Sequence, residues 1–345
     1  MSLVSRFLKK IKKKGQPSNN IIQSKEDINK LGQDYLKKAK GLAAQKKYFE
    51  ALEELELGYN YIPNDEELRN LMDRVLYKII QPLINDKKAA KAKEILLKYS
   101  HIDKGDATQS TLNNLSWACY SNREYAEALE YSLKGLELDN TDFYLYSNKG
   151  NALLGLNRYE EAIETFELAI KYAPEDFTIP LYGKGASLFN LERYEECEKV
   201  FKKYLQFKDN EDAYGYLIES FNSQGKHKEK IDFIDSILEK CYKDPWYHYK
   251  KGCSLTALSS YHAAMECFDE AIFLDKNYVG AYYSKCRIYC RFRIYDGAFE
   301  MLKKTLELDE GYKDFALEDG YLEEFVQFSE VKALLGGELD ERKEA

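Results

Sequence analysis

A five-residue phrase recurs along this chain at a nearly fixed interval. It reads Lys47-Tyr48-Phe49-Glu50-Ala51, Glu124-Tyr125-Ala126-Glu127-Ala128, Arg158-Tyr159-Glu160-Glu161-Ala162, Arg193-Tyr194-Glu195-Glu196-Cys197, Ser260-Tyr261-His262-Ala263-Ala264 and Ile294-Tyr295-Asp296-Gly297-Ala298. Tyr125 to Tyr159 is 34 residues, Tyr159 to Tyr194 is 35, Tyr194 to Tyr261 is 67 (two periods less one), and Tyr261 to Tyr295 is 34. A repeat of roughly 20 to 50 residues is a unit that cannot bury its own apolar face and must stack on its neighbours. Other positions keep the same frame. Gly150, Gly185 and Gly252 stand nine residues before the tyrosine, Ala162 and Ala264 three after it, and Phe166, Phe201 and Phe268 seven after it. Small residues at fixed offsets imply two helices crossing closely, with the phenylalanine filling the next layer. Glycine inside a helix costs about 1 kcal/mol against alanine, so its return implies a packing gain.

The pattern resembles the tetratricopeptide repeat family, most fully over residues 143–177 with Tyr146, Gly150, Leu153, Tyr159, Ala162, Phe166, Ala169 and Pro174. The resemblance implies an all-α fold, a right-handed α-solenoid of about eight antiparallel helix pairs with a C-terminal capping helix. It assigns a repeat array to residues 32–312, divided as 32–65, 66–108, 109–142, 143–177, 178–210, 211–244, 245–278 and 279–312. Two repeats are degenerate. Tyr48 to Tyr125 is 77 residues, so 66–108 carries an insertion and is aligned by Ala92, Leu96 and Tyr99, while 211–244 puts His227 and Lys230 where tyrosine and alanine belong. Turn clusters such as Pro63-Asn64-Asp65 and Asp275-Lys276-Asn277 fall between repeats, and Asp244-Pro245 reads as an N-cap followed by a first-turn proline.

Residues 1–31 precede the array. Arg6, Lys9, Lys10, Lys12, Lys13 and Lys14 lie there without an acid before residue 20, although the whole chain carries −8, so the rest is more acidic still. Leu3, Val4, Phe7, Leu8 and Ile11 would share one face of a helix. A solvated, flexible start is the first reading. The other is peripheral contact of residues 1–14 with an anionic membrane surface or an acidic partner. Lysines interrupt any run long enough for a secretory signal, and no apolar run reaches the roughly 18 residues a membrane helix needs. Residues 313–345 leave the period, with Phe315, Leu317, Tyr321, Leu322, Phe325, Val331 and Leu334 available to cover the last hairpin.

The residues carry no constellation for catalysis. The four histidines form no HExxH, and neither a Walker loop nor a dinucleotide fingerprint occurs. The seven cysteines are an odd number without a CxxC pair, which fits a reducing, cytoplasmic setting, at most peripheral to an inner membrane surface. Cys286 and Cys290 with His262 and Cys267 make a metal site conceivable. Cys286 and Cys197, however, occupy the small-residue slots of the repeat, so buried cysteine is the stronger reading. No cofactor and no metal are expected, and the chain does not read as an enzyme.

Function then falls to a surface. In the family this chain resembles, the first helix of each hairpin lines a concave groove for a peptide or extended segment. Carried onto this sequence, those positions are Asn113, Asn114, Trp117 and Tyr120, then Tyr144, Ser147, Asn148 and Asn151, then Tyr182 and Phe189, Tyr216 and Glu219, Trp246, Tyr249 and Lys250, and Tyr283, Arg287 and Arg291. Tyrosine and tryptophan dominate binding hot spots, and asparagine can bond both sides of a backbone. The alternative is that 29 tyrosines are a compositional bias whose rings pack between hairpins. Asn148 and Asn151 stand out as polar side chains without a core role. The Lys, Asn, Asn, Lys, Arg set that some family members use to grip an acidic chaperone tail is not supplied by any three consecutive repeats. The expectation is a scaffold or adaptor for a protein or peptide partner. An RNA-binding helical repeat, which the acidic body disfavours, and an accessory subunit of a membrane-associated enzyme complex are the alternatives.

Overall fold

The computed structural model describes residues 25–99 and 107–336. The basic amphipathic segment of residues 1–14, residues 100–106 of the insertion and the charged exit beyond 336 lie outside the described residues. What is described is helical, without a strand. Helices α1 (Lys25–Ala44) and α2 (Tyr48–Tyr59) form the first hairpin, α3 (Glu66–Asn85) and α4 (Ala89–Tyr99) the second, α5 (Gln109–Ser121) and α6 (Tyr125–Leu138) the third, and α7 (Phe143–Gly155) and α8 (Tyr159–Tyr172) the fourth. Then come α9 (Ile179–Asn190) and α10 (Tyr194–Tyr204), α11 (Glu211–Ser223) and α12 (His227–Cys241), α13 (Pro245–Ala257) and α14 (Tyr261–Leu274), and α15 (Val279–Arg291) and α16 (Tyr295–Leu308). Two short helices, α17 (Tyr312–Glu318) and α18 (Ser329–Leu334), with a 3₁₀ turn at Phe325–Gln327, follow. Contacts divide the chain into one unit up to Ser187 and another from Leu188.

The two kinds of turn are built differently. At five of the handovers from one hairpin to the next a side chain caps the new helix, whereas the helix starting at Val279 has no side-chain cap. Asp65 accepts from Leu68 N, Thr108 from Thr111 N, Asp142 from Tyr144 N and Leu145 N, Asn210 from Ala213 N, and Asp244 from Trp246 N with Pro245 in the first turn. Inside each hairpin no side chain caps the second helix; one left-handed residue closes the first. Lys46, Lys87, Arg123, Asn157, Glu192, Ser259 and Arg293 have φ between 56° and 63°, and Gly225 has φ 66°. Each stands two residues before the start of the second helix. In the fourth hairpin Arg158 N donates to Leu153 O at 2.9 Å and Asn157 N to Leu154 O at 3.0 Å, the six-to-one and five-to-two bonds of a Schellman stop. The sequence signals this only at Gly225 and Asn157, because the other residues there are poor left-handed formers. Ser259→Gly is therefore expected to stabilise the second unit by about 0.5–1 kcal/mol, read as a rise in the thermal midpoint. A fall in the midpoint would contradict it.

Packing within a hairpin follows the repeat frame. Phe166 is fully buried, and a Cβ placed on Gly150 would lie 2.5 Å from its ring, so the glycine is the space the ring occupies. Gly252 stands to Phe268 in the same way, with 2.6 Å to the ring. Ala128, Ala162, Ala264 and Ala298, three residues after their tyrosines, are 0% exposed.

The degenerate repeats resolve into specific differences. α1 begins at Lys25, seven residues ahead of position 32, and α3 runs for 20 residues where α5 and α7 have 13, so much of the insertion in 66–108 is two extra helical turns. In the sixth hairpin Lys230 fills the alanine slot at 1% exposure and reaches Asn222 Oδ1 at 2.8 Å. The C-terminal cap also departs from expectation. Leu322, Phe325 and Val331 pack with Cys286, Ala298 and Leu302 of the last hairpin. Phe315, Leu317 and Tyr321 are instead 66%, 56% and 53% exposed, while Ala316, between the first two, is the residue of that stretch that enters the core.

Candidate binding surface on the first helices

In the first unit α5 and α7 pack side by side. Asn113 and Asn148, one period apart, meet: Asn148 Nδ2 donates to Asn113 Oδ1 at 2.7 Å and to Asn113 O at 3.3 Å. Asn148, read as having no core role, does hold one structural contact, since its amide ties adjacent hairpins. Asn151, one turn on, is half-buried and has no hydrogen bond among the described residues. Trp117 lies 6.5 Å from Tyr77, Tyr120 lies 5.8 Å from Tyr125, and Tyr144, half-exposed, meets Phe143 and Phe177 edge-on or tilted. Tyr182 is half-buried on α9. Asn114 and Ser147 do not join this surface. They are 4% and 2% exposed, and Ser147 Oγ donates back to Phe143 O, because those two offsets turn toward the neighbouring helices.

In the second unit the aromatic residues serve packing more than display. Phe189 meets Tyr216 edge-on at 5.1 Å, and Tyr216 stacks on the buried Phe201 at 4.9 Å. Tyr249 contacts Phe268 and Tyr278, and burial holds its hydroxyl above the ordinary tyrosine range. Trp246 carries Lys250 over its ring at 5.3 Å, and Lys250 pairs with Glu219 at 2.6 Å. Tyr283 donates to Asp319 Oδ2 at 2.8 Å, and Arg287 Nε sits 2.9 Å from the same oxygen, so two residues expected to meet a partner are answered by the chain's own cap segment. Arg291 is exposed and stacks over Tyr261 at 5.2 Å.

The cysteine and histidine readings separate. Cys286 and Cys290 lie in the core of the last hairpin at 0% and 7% exposure, whereas His262 points to solvent beside Glu266. A cluster that spacing did not single out lies in the third hairpin: Cys119, Glu124 and Glu127 bring Sγ and carboxylate oxygens within 4.8 Å of one another. Lys93 Nζ already occupies it, 2.7 Å from both carboxylates. Burial pushes the Cys119 thiol up to about 12, so at neutral pH it stays protonated beside the ion pair. Burial acts to lower Lys93, but its hydrogen bonds to Glu124 and Glu127 outweigh that and hold it above its ordinary value. The arrangement is an inter-hairpin ion pair. No described helix is long and apolar enough to cross a membrane.

Comparison with known proteins places this geometry among related chains. Family models described as tetratricopeptide repeat match residues 143–176 and residues 109–142. The chain is 26% identical over 162 residues to the STIP1 homolog of Dictyostelium discoideum, covering 44% of this chain and 27% of that protein. It is 23% identical over 216 residues to the TPR repeat-containing protein MJ1428 of Methanocaldococcus jannaschii, covering 56% of this chain and 37% of the relative. The chain thus spans about a third of the length of these relatives. Among solved structures it is similar to YrrB, described as a TPR protein with an unusual peptide-binding site, at 22% identity and a TM-score of 0.46, over 53% of this chain and 94% of that one.

Proposed function

This chain is a tetratricopeptide repeat protein, and from that premise we propose that it is a non-catalytic scaffold whose first unit holds an extended segment of a protein partner across α5 and α7. The observation that carries the reading is the asparagine row. Asn113 and Asn148 are locked in register across one repeat, and Asn151 has no hydrogen bond among the described residues, on a helix pair that also carries the half-buried Trp117 and the exposed Tyr144. A fixed amide next to a rigid ring suits a peptide backbone, because the amide offers both a donor and an acceptor while the ring buries area with few rotors.

Asn151→Ala should reduce capture of partner protein from the native cell by about tenfold, the loss of one or two hydrogen bonds of roughly 1 kcal/mol each, with the melting temperature unchanged. Asn148→Ala should weaken capture and also lower the melting temperature slightly, because Asn113 loses its partner. Affinity capture beside thermal denaturation of each variant checks both. Normal capture by the Asn148→Ala, Asn151→Ala double variant would end the proposal.

A further inference from the structure

The second unit contains a cleft whose chemistry is unlike the rest of this acidic chain. It has a volume of about 380 Å³, and Ser259, Tyr261, Ser284, Arg287, Arg291 and Tyr321 are on its wall, which includes no aspartate or glutamate. Both guanidinium groups lie over rings, Arg287 Cζ at 4.6 Å from the centroid of Tyr321 and Arg291 Cζ at 5.2 Å from that of Tyr261. Stacking leaves the N–H edges of a guanidinium available while restricting its rotation. Arg291 makes no ion pair among the described residues. Arg287 faces Asp319 on one edge, yet its buried Nε lacks an aligned hydrogen bond.

Further cations lie near this cleft. Cys253, on the same wall, has Lys230, Lys250 and Arg287 as charge neighbours; burial keeps its thiol raised, with those three cations acting against that rise. Of the three, Lys250 is paired with Glu219 and Arg287 with Asp319, while Lys230 hydrogen-bonds the neutral Asn222 and shares the charge of Glu219. More cationic charge than carboxylate converges on the cleft, in a protein whose net charge is −8. An anion would relieve that excess.

We propose that this cleft is a phosphoryl-binding site, taking a phosphate monoester between Arg287, Arg291 and the hydroxyls of Ser259, Ser284 and Tyr321. A planar carboxylate monoanion has two oxygens and saturates one guanidinium fork, whereas a tetrahedral dianion presents three oxygens, enough for two forks and the hydroxyl donors. The site is separate from the asparagine row and does not rest on the reading given for it. The monoester has two sources, a phosphorylated side chain of a protein or a free phosphate compound.

Calorimetric titration of the full chain with inorganic phosphate, with N-acetyl-O-phosphoserine amide and with acetate distinguishes them. Saturable phosphate binding is expected, weakened at least about tenfold in Arg291→Ala and not restored in Arg291→Lys, which keeps the charge but loses the fork. Arg291 is exposed, so both variants should retain wild-type helicity, and Ser284→Ala provides a second, smaller loss should either fail to. Phosphoserine amide binding about tenfold tighter than phosphate identifies a phosphorylated side chain as the source; equal affinities identify the free compound. Absence of saturation, undiminished binding in Arg291→Ala, or acetate binding as tightly as phosphate would overturn the assignment.

Discussion

Phe166→Ala is expected to destabilise the first unit by about 3–5 kcal/mol, the range for emptying a buried phenylalanine site. The ring is 0% exposed and abuts Gly150 of its own hairpin and Gly183 of the next. Neither glycine has a side chain that could move into the vacated space, so the site cannot collapse cheaply and the upper part of the range applies. A stack of repeats is stabilised by nearest-neighbour contacts, so the loss should centre on the fourth and fifth hairpins. Hydrogen exchange would read it as lost protection across α7 and α8, with that in α13 to α16 retained. A denaturation midpoint unchanged by the substitution would mean that the glycine slots are not the ring's seat.

Lys230→Met is expected to act in the opposite direction, stabilising the second unit by about 1–2 kcal/mol at neutral pH. That is the lower part of the range for replacing a buried ionic group by an apolar one of similar volume, because Nζ keeps its hydrogen bond to Asn222. The effect has a pH signature. Burial lowers the folded-state value of Lys230 below its ordinary 10.5, so the charged form is penalised in the folded chain. Below the lowered value both states hold the proton and the penalty is complete. Between it and 10.5 the unfolded chain binds more protons than the folded one, so the wild type gains stability as pH rises. The advantage of the variant should therefore shrink from neutral toward alkaline pH, measured as the difference between the two urea midpoints. A pH-independent difference would show that Lys230 is penalised by shape and not by charge.

Much of the fold was legible because stacking demands repetition. The tyrosine phrase, the glycine nine residues before it and the phenylalanine seven after it are one contact written repeatedly, and Gly150 against Phe166 is that contact. Asp244-Pro245 announced a helix start because capping is a local bond between neighbours in sequence. The left-handed stop of most hairpins was hidden by contrast. Residues such as Lys46, Glu192 and Arg293 adopt it under the pull of the two helices they join, against their own preference.

The candidate site was legible only as a set of offsets. Offsets name a helix and approximate a face, but Asn113 and Asn148 meeting across 35 residues, or Asn114 turning inward beside an outward Asn113, depend on how neighbouring helices are rotated. Arg287 and Tyr283 show the same limit, since Asp319 reaches both from a segment that leaves the period altogether.

Taken alone, the order of residues determined that this protein is a succession of paired helices, because one period of apolar and small positions has only one way to be buried. Tertiary structure decided which polar groups are spent inside and which are left for another molecule. Hydrogen bonds and ion pairs between repeats form through space among side chains whose spacing along the chain carries no mark of the pairing. That physical fact separates Asn151 and Arg291, which have no hydrogen bond or ion pair among the described residues, from Asn148 and Arg287, which meet Asn113 and Asp319.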